Sequence, residues 1–282
     1  MVHGLIFAAG LGSRLKPLTD TMPKALVPLA GKTLLQWQVE KLRDAGITDI
    51  TVNVHHFPDQ IIEAVRQNEG WGTHITISDE RDCLLDTGGG LRKAWHDGLL
   101  GTNEPILACN VDILSNINLR KFMDTCIFSF SSPLHGGNEG GSFGQLVVSK
   151  RQTQRYLLFD EQGMLRGWTN IATGEVKPYS LPTAHSPQTT PSLWERGGGK
   201  LSPLAFSGMQ ILSPDILNRL DEMPESKFSL IDFYLHLCEQ NQKSEIKNQK
   251  SILKAYVPEN YRMMDVGKID QIEEAERFAE SL

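Results

Sequence analysis

The chain has 282 residues, of which 40% are hydrophobic and 22% are charged, so it can bury a substantial core and its composition does not indicate disorder. Its formal net charge of -6 argues against a general nucleic-acid binder, which is expected to present a basic face. Its four cysteines lack the C-x-x-C spacing of a zinc site, and no stretch approaches the about 20 apolar residues of a membrane span. We therefore expect a cytoplasmic protein with no nucleic-acid or membrane partner.

The first motif combines a strand, a glycine loop and two basic residues. Residues 5–9 form a short apolar run that predicts a strand buried on both faces. Gly10 and Gly12 follow, and glycines this close let the backbone bend sharply and approach a ligand without a Cβ in the way. Arg14 comes directly afterwards, and Lys24 follows a proline-bounded turn. The backbone N–H groups of such a loop, together with two cations, predict a site for a polyphosphate.

Two familiar phosphate-binding loops do not fit this segment. A P-loop continues from its last glycine with Lys and then Ser or Thr, whereas Gly12 is followed by Ser13 and Arg14. The dinucleotide-binding fingerprint needs a third small residue at the position where this chain has Leu15.

The whole string from residue 4 to residue 28, which ends in PKALVP, closely resembles the signature of the sugar-1-phosphate nucleotidyltransferases, also called nucleoside-diphosphate-sugar pyrophosphorylases. The resemblance implies a glycosyltransferase-A-like nucleotidyltransferase fold. It also implies that the glycine loop binds a nucleoside triphosphate, and that Arg14 and Lys24 contact its phosphates and act in catalysis. The residues of this segment implied to bind the nucleotide are Ala9, Gly10, Gly12, Ser13, Arg14 and Lys24.

The next part of the chain alternates between helix and strand. Its apolar spacing predicts helices over residues 34–45 and 59–67, and strands over residues 50–54 and 74–78. Such alternation is typical of an α/β fold with a Rossmann-like, doubly wound, mainly parallel sheet and helices on both faces.

A second glycine-rich motif, LDTGGG, occupies residues 85–90, ahead of a predicted helix that begins at Leu91. Three glycines in this place allow a flat ring to approach the backbone closely, although a flexible helix entry would give the same pattern. The motif resembles the family's second loop, which implies that Thr87, Gly88 and Gly89 contact the base and ribose. The triple glycine is closest to N-acetylmuramate-1-phosphate uridylyltransferases, because mannose-1-phosphate guanylyltransferases more often have an alanine within it.

Asp112 follows a buried strand predicted over residues 105–110. An acidic residue at the carboxyl end of a parallel strand lies where doubly wound sheets bind ligands, although it could also cap a helix or a turn. The resemblance implies that Asp112 holds a catalytic Mg²⁺ and that Asn110 lies near the sugar phosphate. Val111 departs from the glycine that many members have.

The middle of the chain matches the family less closely. Residues 129–144 are polar and glycine-rich and predict a loop, and residues 181–200 predict a flexible loop or insertion. Lys177 is a candidate for binding the sugar phosphate, because some members have a Glu-Lys-Pro string near this point. The spacing of Glu175 differs from that string, and a solvated turn is the alternative.

Two later strands carry the remaining implied site residues. The strand predicted over residues 205–212 contains Ser207 and Gly208 and resembles the family's sugar-pocket strand, where a small residue leaves room for a pyranose. Asp265, which is followed by Val and Gly, resembles the family's second metal ligand, although Lys268 departs from the usual threonine. The other predicted elements are strands over residues 145–149, 155–160 and 252–257 and helices over residues 228–238 and 271–282.

These observations predict one nucleotidyltransferase domain over residues 1–282. Its nucleotide-binding part covers about residues 1–128, and its sugar- and metal-binding part covers about residues 129–282. The predicted reaction transfers a nucleotidyl group from UTP, GTP, CTP or dTTP to a sugar 1-phosphate, with Mg²⁺ as cofactor and pyrophosphate as the second product. The sequence leaves the base and the sugar open.

Two alternative functions remain. One is a regulatory subunit that binds nucleotides or sugar nucleotides without catalysis, and the other is a cytidylyltransferase acting on a non-sugar phosphate such as phosphocholine. The presence of Arg14, Lys24, Asp112 and Asp265 favours an enzyme, and the strand around Gly208 favours a sugar.

Overall fold

A computed structural model of the chain describes residues 1–101, 103–131, 143–178, 201–243 and 253–282. The loop predicted at residues 181–200 and most of the loop predicted at residues 129–144 lie outside these ranges. Within them, the chain forms a ten-stranded sheet, two two-stranded sheets and surrounding helices. None of the helices in the described part is long and apolar enough to span a membrane.

The strands and helices are labelled in chain order. The strands are β1 (His3–Phe7), β2 (Pro28–Leu29), β3 (Lys32–Thr33), β4 (Asp49–Val54), β5 (His74–Asp79), β6 (Ile106–Asn110), β7 (Ile113–Ser115), β8 (Gly144–Ser149), β9 (Arg155–Phe159), β10 (Leu165–Asn170), β11 (Glu175–Lys177), β12 (Ser202–Leu212), β13 (Lys254–Tyr256) and β14 (Met263–Asp265). The α-helices are α1 (Leu34–Asp44), α2 (Pro58–Gln67), α3 (Asp86–His96), α4 (Leu119–Ser131), α5 (Leu230–Lys243) and α6 (Ile272–Glu280). Short 3₁₀ helices at Ser13–Leu15, Leu18–Asp20 and Lys24–Leu26 connect β1 to β2.

The large sheet has a parallel part and an antiparallel part. Its main strand order is β11-β10-β9-β12-β6-β1-β4-β5. Strand β1 pairs in parallel with β6 on one side and with β4 on the other, and β5 continues the parallel set beside β4. On the other side of β6, the strands β12, β9, β10 and β11 pair antiparallel. The predicted α/β fold class is confirmed, with an antiparallel extension that the sequence pattern did not indicate.

Strand β1 and the residue after it are buried on both faces because their side chains alternate between two hydrophobic clusters. Ile6 and Ala8 belong to one cluster, which also contains residues of α1, α2, α4 and α6. Leu5 and Phe7 belong to the other, which contains residues of α3 and α5. Helices therefore cover both faces of the sheet, as predicted.

Several predicted elements differ from the structure, and three of the differences concern β1, α3 and α4. Strand β1 ends at Phe7 rather than at residue 9, so Ala8 and Ala9 belong to the loop that follows. The glycines of LDTGGG lie inside α3, which begins at Asp86, because tertiary packing overrides the low helix propensity of glycine. Helix α4 was not predicted, and it runs to Ser131, into the segment predicted as a loop.

Helix α1 supports the strand that follows Asp112. Gln38 Nε2 donates a hydrogen bond to the carbonyl oxygen of Ile113 at 2.6 Å, and Lys41 Nζ donates to the carbonyl oxygen and Oγ of Ser115 at 2.7 and 2.6 Å. The helix therefore holds both ends of β7. Burial lowers the pKa of Lys41 to about 8, because desolvation disfavours the charged ammonium group.

We predict that Lys41→Met changes the pH dependence of stability above pH 8. An unfolded lysine has an ordinary pKa of about 10.4, so between the two pKa values the unfolded state binds more protons than the folded state. The stability of the wild-type protein relative to the variant should therefore rise with pH in this window, by at most about 1.4 kcal/mol per pH unit. Urea unfolding at several pH values measures the difference, and a constant difference would show that the folded Lys41 keeps its ordinary pKa.

Candidate active site

The candidate site lies where β1 and β6 end. These strands are parallel neighbours, with Phe7 opposite Asn110, so the segments that follow them leave the sheet at the same edge. The backbone N–H of Val111 donates to the carbonyl oxygen of Phe7 at 3.1 Å, which holds the two exits together. This is the edge at which doubly wound sheets bind ligands.

Lys24 and Asp112 form an ion pair at this edge. Lys24 lies in the 3₁₀ helix Lys24–Leu26 and is only 8% exposed. Two of the predicted site residues are thus in direct contact, and each neutralises the other. Removing one partner would leave a poorly solvated charge uncompensated.

The glycine loop packs against this pair through Gly12. This residue has a left-handed conformation with φ of 64°, which favours glycine. A Cβ at Gly12 would lie 2.8 Å from Thr19 Cγ2 and 3.0 Å from Lys24 Cβ, and the Thr19 hydroxyl donates to the Gly12 carbonyl oxygen at 2.8 Å. At Gly10, by contrast, a Cβ would meet no atom within 4 Å. Gly12 is therefore required by the loop's own packing, whereas the space beside Gly10 is open.

Asp265 reaches the site from a separate two-stranded sheet. Strand β14 pairs antiparallel with β7, with Asp265 opposite Ile113, and the backbone N–H of Val266 donates to the carbonyl oxygen of Asp112 at 2.8 Å. The two aspartates therefore lie on adjacent backbone segments. Their approach does not come from two strands of the large sheet ending at one edge, as the sequence suggested, because β14 belongs to the small sheet.

Charges of both signs act on the carboxyl group of Asp265. Burial of its carboxyl group and the negative charge of Asp112 raise the pKa of Asp265, while the positive charges of Lys24, Arg14 and Arg151 oppose this shift. As a residue Asp265 still presents part of its surface to solvent, so water screens these effects in part. The two carboxylates repel each other, and a cation between them would remove that repulsion.

Two arginines flank Asp265. Arg14 is exposed and lies beside Gly267, where a Cβ would be 2.8 Å from Arg14 Nη2. Arg151 donates to the carbonyl oxygen of Phe206 at 3.0 Å. Sequence reasoning identified Arg14 from the glycine-loop motif but missed Arg151, which follows β8 in a segment that carries no motif.

Three of the residues predicted to bind the sugar phosphate lie together beside the aspartates. Gly208 has φ of 68°, and a Cβ there would be 3.0 Å from both Asn110 Nδ2 and Ile113 Cγ1. Ser207 is fully buried, and its hydroxyl lies near that of Tyr261. Sequence reasoning did not single out Tyr261, because a lone tyrosine after a short strand gives no signal of a site.

Lys177 lies elsewhere in the sheet. It is in β11, which three strands separate from β6. Its Nζ is 3.3 Å from Glu175 Oε1 and 5.6 Å from the centre of the Trp168 ring. The structure therefore gives Lys177 other partners and does not bring it to the Lys24–Asp112 pair.

The second glycine motif has an internal packing role. The backbone N–H groups of Gly88 and Gly89 donate to the carbonyl oxygen of Phe228 at 2.9 and 3.1 Å, and Thr87 Oγ1 accepts from the N–H of Leu230 at 3.0 Å. A Cβ at Gly88 would collide with the Phe228 ring. These amides already have acceptors in the protein, so a nucleotide contact of this segment would use other atoms.

The fold is an α/β sheet with the glycine loop, Lys24 and Asp112 together at one of its edges. Residues 3–127 match the family model described as nucleotidyl transferase. The matched range includes β1, the glycine loop, Lys24 and Asp112.

Curated relatives extend the comparison. The chain is 43% identical to the N-acetylmuramate alpha-1-phosphate uridylyltransferase of Caulobacter vibrioides over 111 residues, which cover 38% of this chain and 44% of the relative. It is 30% identical to the mannose-1-phosphate guanyltransferase of Schizosaccharomyces pombe over 232 residues, which cover 80% of this chain and 53% of the relative. The chain thus spans about half the length of the curated relatives it matches.

Solved structures confirm the fold over the whole chain. A UDP-glucose pyrophosphorylase complexed with UDP-glucose has a TM-score of 0.67 at 16% identity, covering 100% of this chain and 99% of that one. HddC from Yersinia pseudotuberculosis, complexed with GMP-PN, has a TM-score of 0.64 at 19% identity, covering 99% of this chain and 100% of that one. At these identities the likeness concerns the fold alone.

We predict opposite stability effects for Asp112→Asn and Asp265→Asn. Asp112→Asn removes the partner of the buried Lys24 ammonium group and should cost about 3 kcal/mol. Asp265→Asn removes a carboxylate that the fold disfavours and should raise the melting temperature near neutral pH. Because the folded-state pKa of Asp265 is raised, its stability contribution is present below about pH 4 and is lost as the pH rises through the folded-state value.

Thermal unfolding of the nucleotide-free and metal-free variants measures both effects. The gain from Asp265→Asn should be present at neutral pH and should vanish in acid, where the wild-type carboxyl group is also neutral. A lower melting temperature for both variants at neutral pH would contradict this charge assignment.

Gly12 and Gly10 provide a matched pair of alanine substitutions. Gly12→Ala should lower the free energy of unfolding by about 1 kcal/mol or more, because alanine disfavours the left-handed conformation and its Cβ would press on Thr19. Gly10→Ala should leave stability nearly unchanged, since its Cβ meets open space. Chemical unfolding measures the difference, and equal stabilities for the two variants would contradict the packing role of Gly12.

Proposed function

We propose that this chain transfers a nucleotidyl group from a nucleoside triphosphate to a sugar 1-phosphate and releases pyrophosphate. The observation that supports this function best is the convergence of an open glycine loop at Gly10, the Lys24–Asp112 pair and Asp265 at one sheet edge. The names of the relatives describe the same class of reaction, with uridylyl or guanylyl donors and N-acetylmuramate or mannose 1-phosphate acceptors.

In the proposed reaction a phosphate oxygen of the sugar 1-phosphate attacks the α-phosphorus of the triphosphate. A new P–O bond forms while the bond from the α-phosphorus to the bridging oxygen breaks, and pyrophosphate leaves with that electron pair. Phosphoryl chemistry of this kind depends on in-line positioning and charge neutralisation more than on covalent catalysis. Lys24 and Arg14 lie beside the glycine loop and would supply positive charge to the phosphates.

We propose Mg²⁺ as the cofactor, with Asp112 and Asp265 as its protein ligands. The described residues contain no group of three or more His, Cys, Asp or Glu side chains able to hold a metal. Mg²⁺ does not need such a cage, because it is commonly bound by one or two carboxylates together with water and substrate phosphates. When bound, it would neutralise charge on the phosphates. The metal should bind weakly alone and well together with the triphosphate.

The acceptor is assigned to the side of the site formed by Asn110, Ser207 and Gly208. These residues lie next to the aspartates, and Arg151 adds a positive charge that acts on Asp265. The binding of the sugar phosphate by Lys177 stays a prediction.

The large sheet runs from β1 through β6 into β12 and β9. This continuity supports one domain with a nucleotide-binding part over about residues 1–128 and a sugar-binding part over about residues 129–282.

UTP is the first donor to test. Two N-acetylmuramate alpha-1-phosphate uridylyltransferases share 43% and 39% identity with the chain, and its triple glycine has the pattern associated with that group. GTP is the second candidate, because mannose-1-phosphate guanyltransferases share 28% to 37% identity. The cytoplasm is the location in which such substrates would be used.

Pyrophosphate release tests the function most directly. UTP, GTP, CTP and dTTP are each incubated with Mg²⁺ and N-acetylmuramate, mannose or glucose 1-phosphate, with phosphocholine as the non-sugar acceptor. Release that depends on a sugar 1-phosphate supports the proposal. Release with phosphocholine and CTP alone would instead indicate a cytidylyltransferase, and nucleotide binding without release from any pair would indicate a regulatory protein.

We predict that Lys24→Met reduces turnover by about 10²-fold or more, the scale for losing one preorganised charge donor. Methionine keeps the length of the apolar stem, so the packing against Gly12 should persist. Lys16→Met is the matched control, because Lys16 is exposed and pairs with Asp20 at 2.9 Å. Steady-state assays at saturating substrates measure the effect, and near-normal turnover of a folded Lys24→Met variant would remove Lys24 from the mechanism.

A further inference from the structure

Two buried polar side chains connect the glycine loop that follows β1 to the LDTGGG motif at the start of α3. Asn53 lies near the end of β4, and its Oδ1 accepts a hydrogen bond from the N–H of Ala8 at 2.7 Å. Its Nδ2 donates to Glu80 Oε1 at 2.8 Å. The other carboxylate oxygen, Glu80 Oε2, accepts from the N–H of Leu85 at 3.2 Å. Three hydrogen bonds therefore run from the start of the first glycine loop to the residue that precedes α3.

This connection is held firmly in place. Asn53 and Glu80 are each only 2% exposed, and a carboxylate at this depth is costly unless its oxygens are hydrogen-bonded. The backbone of Glu80 is also fixed, because its N–H donates to the carbonyl oxygen of Val54 at 2.7 Å and its carbonyl oxygen accepts from the N–H of Cys83 at 3.0 Å. The backbone from which the Glu80 side chain extends is therefore fixed, and the carboxylate is held by its own two hydrogen bonds.

Gly90 lies directly on this pair. A Cβ at Gly90 would be 2.6 Å from Glu80 Oε1 and 2.9 Å from Asn53 Nδ2. The third glycine of the LDTGGG motif is thus required by a buried contact and not by access to a ligand. Helix α3 closes over the hydrogen-bonded pair, which puts the start of the helix in a set position relative to β1.

We propose that Glu80, acting through Asn53, is a positioning residue that fixes the start of α3 against the glycine loop. Glu80 thereby sets the affinity for the nucleoside triphosphate, an assignment that rests on the proposed function. Neither side chain needs to touch the nucleotide. Each holds a backbone N–H, at Ala8 and Leu85, in a segment next to the residues predicted to contact the triphosphate and its base.

Exchanging the amide of Asn53 and the carboxylate of Glu80 between the two positions tests the proposal, because the hydrogen bonds have a fixed order of donors and acceptors. Ala8 and Leu85 both present N–H donors, so one amide and one carboxylate in this order satisfy every contact. Glu80→Gln places a second amide between two donors and leaves one buried N–H unpaired. Asn53→Asp places two carboxylates in contact. In the double variant, the new carboxylate accepts from Ala8 and from the new amide, whose oxygen accepts from Leu85, and the net charge is unchanged.

The experiment is a double-mutant cycle on the full chain. Calorimetry measures the affinity for UTP, GTP, CTP and dTTP, each with Mg²⁺, in the wild-type protein, in Glu80→Gln, in Asn53→Asp and in the double variant. Each single variant should weaken binding of the preferred triphosphate about 10-fold or more, because binding must then restore the segment position that the unpaired buried group disturbs. The double variant should return to within about 3-fold of the wild-type affinity, because its partners are matched again.

Thr51→Val is the matched control. Thr51 precedes Asn53 by two residues on the same face of β4, is fully buried, and donates to the carbonyl oxygen of Leu99 at 2.6 Å. This variant loses the part-buried hydrogen bond between β4 and the chain after α3, and also a buried one to His3 Nε2 at 2.9 Å, both at the end of the strands away from the glycine loops. It should lower the melting temperature and leave triphosphate affinity unchanged. A loss of affinity equal to that of Glu80→Gln would show a general structural effect and overturn the positioning role.

Hydrogen exchange in the ligand-free protein tests the connection without a nucleotide. Glu80→Gln should speed exchange at the amides of both Leu85 and Ala8, although of these two amides Glu80 contacts only that of Leu85. The double variant should restore protection at both amides. Unchanged exchange at Ala8 in Glu80→Gln would overturn the proposed connection. If the wild-type protein binds no triphosphate while exchange follows the expected pattern, the proposed function fails and the connection stands. If it binds and the double variant is not rescued, the positioning role fails.

Discussion

The ion pair between Lys24 and Asp112 is the interaction on which the rest of the site depends. It joins the segment after the glycine loop to the end of β6, and Gly12 packs against the stem of Lys24. Both side chains are largely withdrawn from water, so neither charge can be removed without leaving the other uncompensated. In the proposed reaction the same two charges act on the substrates, Lys24 on the phosphates and Asp112 through the cation. In that reaction, the contact that organises the site would also supply its chemistry.

Asp265 differs from Asp112 in its electrostatic environment. It lies on β14, which pairs with β7, the strand that begins directly after Asp112, and burial and the charge of Asp112 raise the pKa of its carboxyl group. In the proposed function, a cation bound between the two acids would turn their repulsion into two attractive contacts. The site thus combines one acid that is ion-paired with Lys24 and one acid whose charge the ligand-free fold disfavours despite three nearby cations.

The sequence was enough to predict those elements in which a local residue pattern also carries the chemistry of the site. An apolar run followed by glycines predicted β1 and its loop, and parallel pairing brings that loop to Asp112, as expected. The helical position of the LDTGGG glycines could not be predicted, because it depends on packing against Phe228, far away in the chain. The route by which Asp265 reaches the site was also out of reach, since β7 and β14 are too short to show a periodic pattern. Asn53 and Glu80 form no motif, because their partnership exists only after the strands have paired.

A structure of the protein with Mn²⁺ in place of Mg²⁺ and a non-hydrolysable triphosphate would test the central claim most directly, since Mn²⁺ can be located by its anomalous scattering. We expect one metal shared by Asp112 and Asp265, with carboxyl groups within roughly 5 Å of each other, a separation that suits the usual Mg–O distance of about 2.1 Å. The triphosphate should lie along the loop at Gly10 and contact Lys24. Carboxyl groups more than about 10 Å apart, too far for one ion to bridge, would contradict the shared metal site, and a triphosphate bound away from this loop would contradict the phosphate-binding role of the loop.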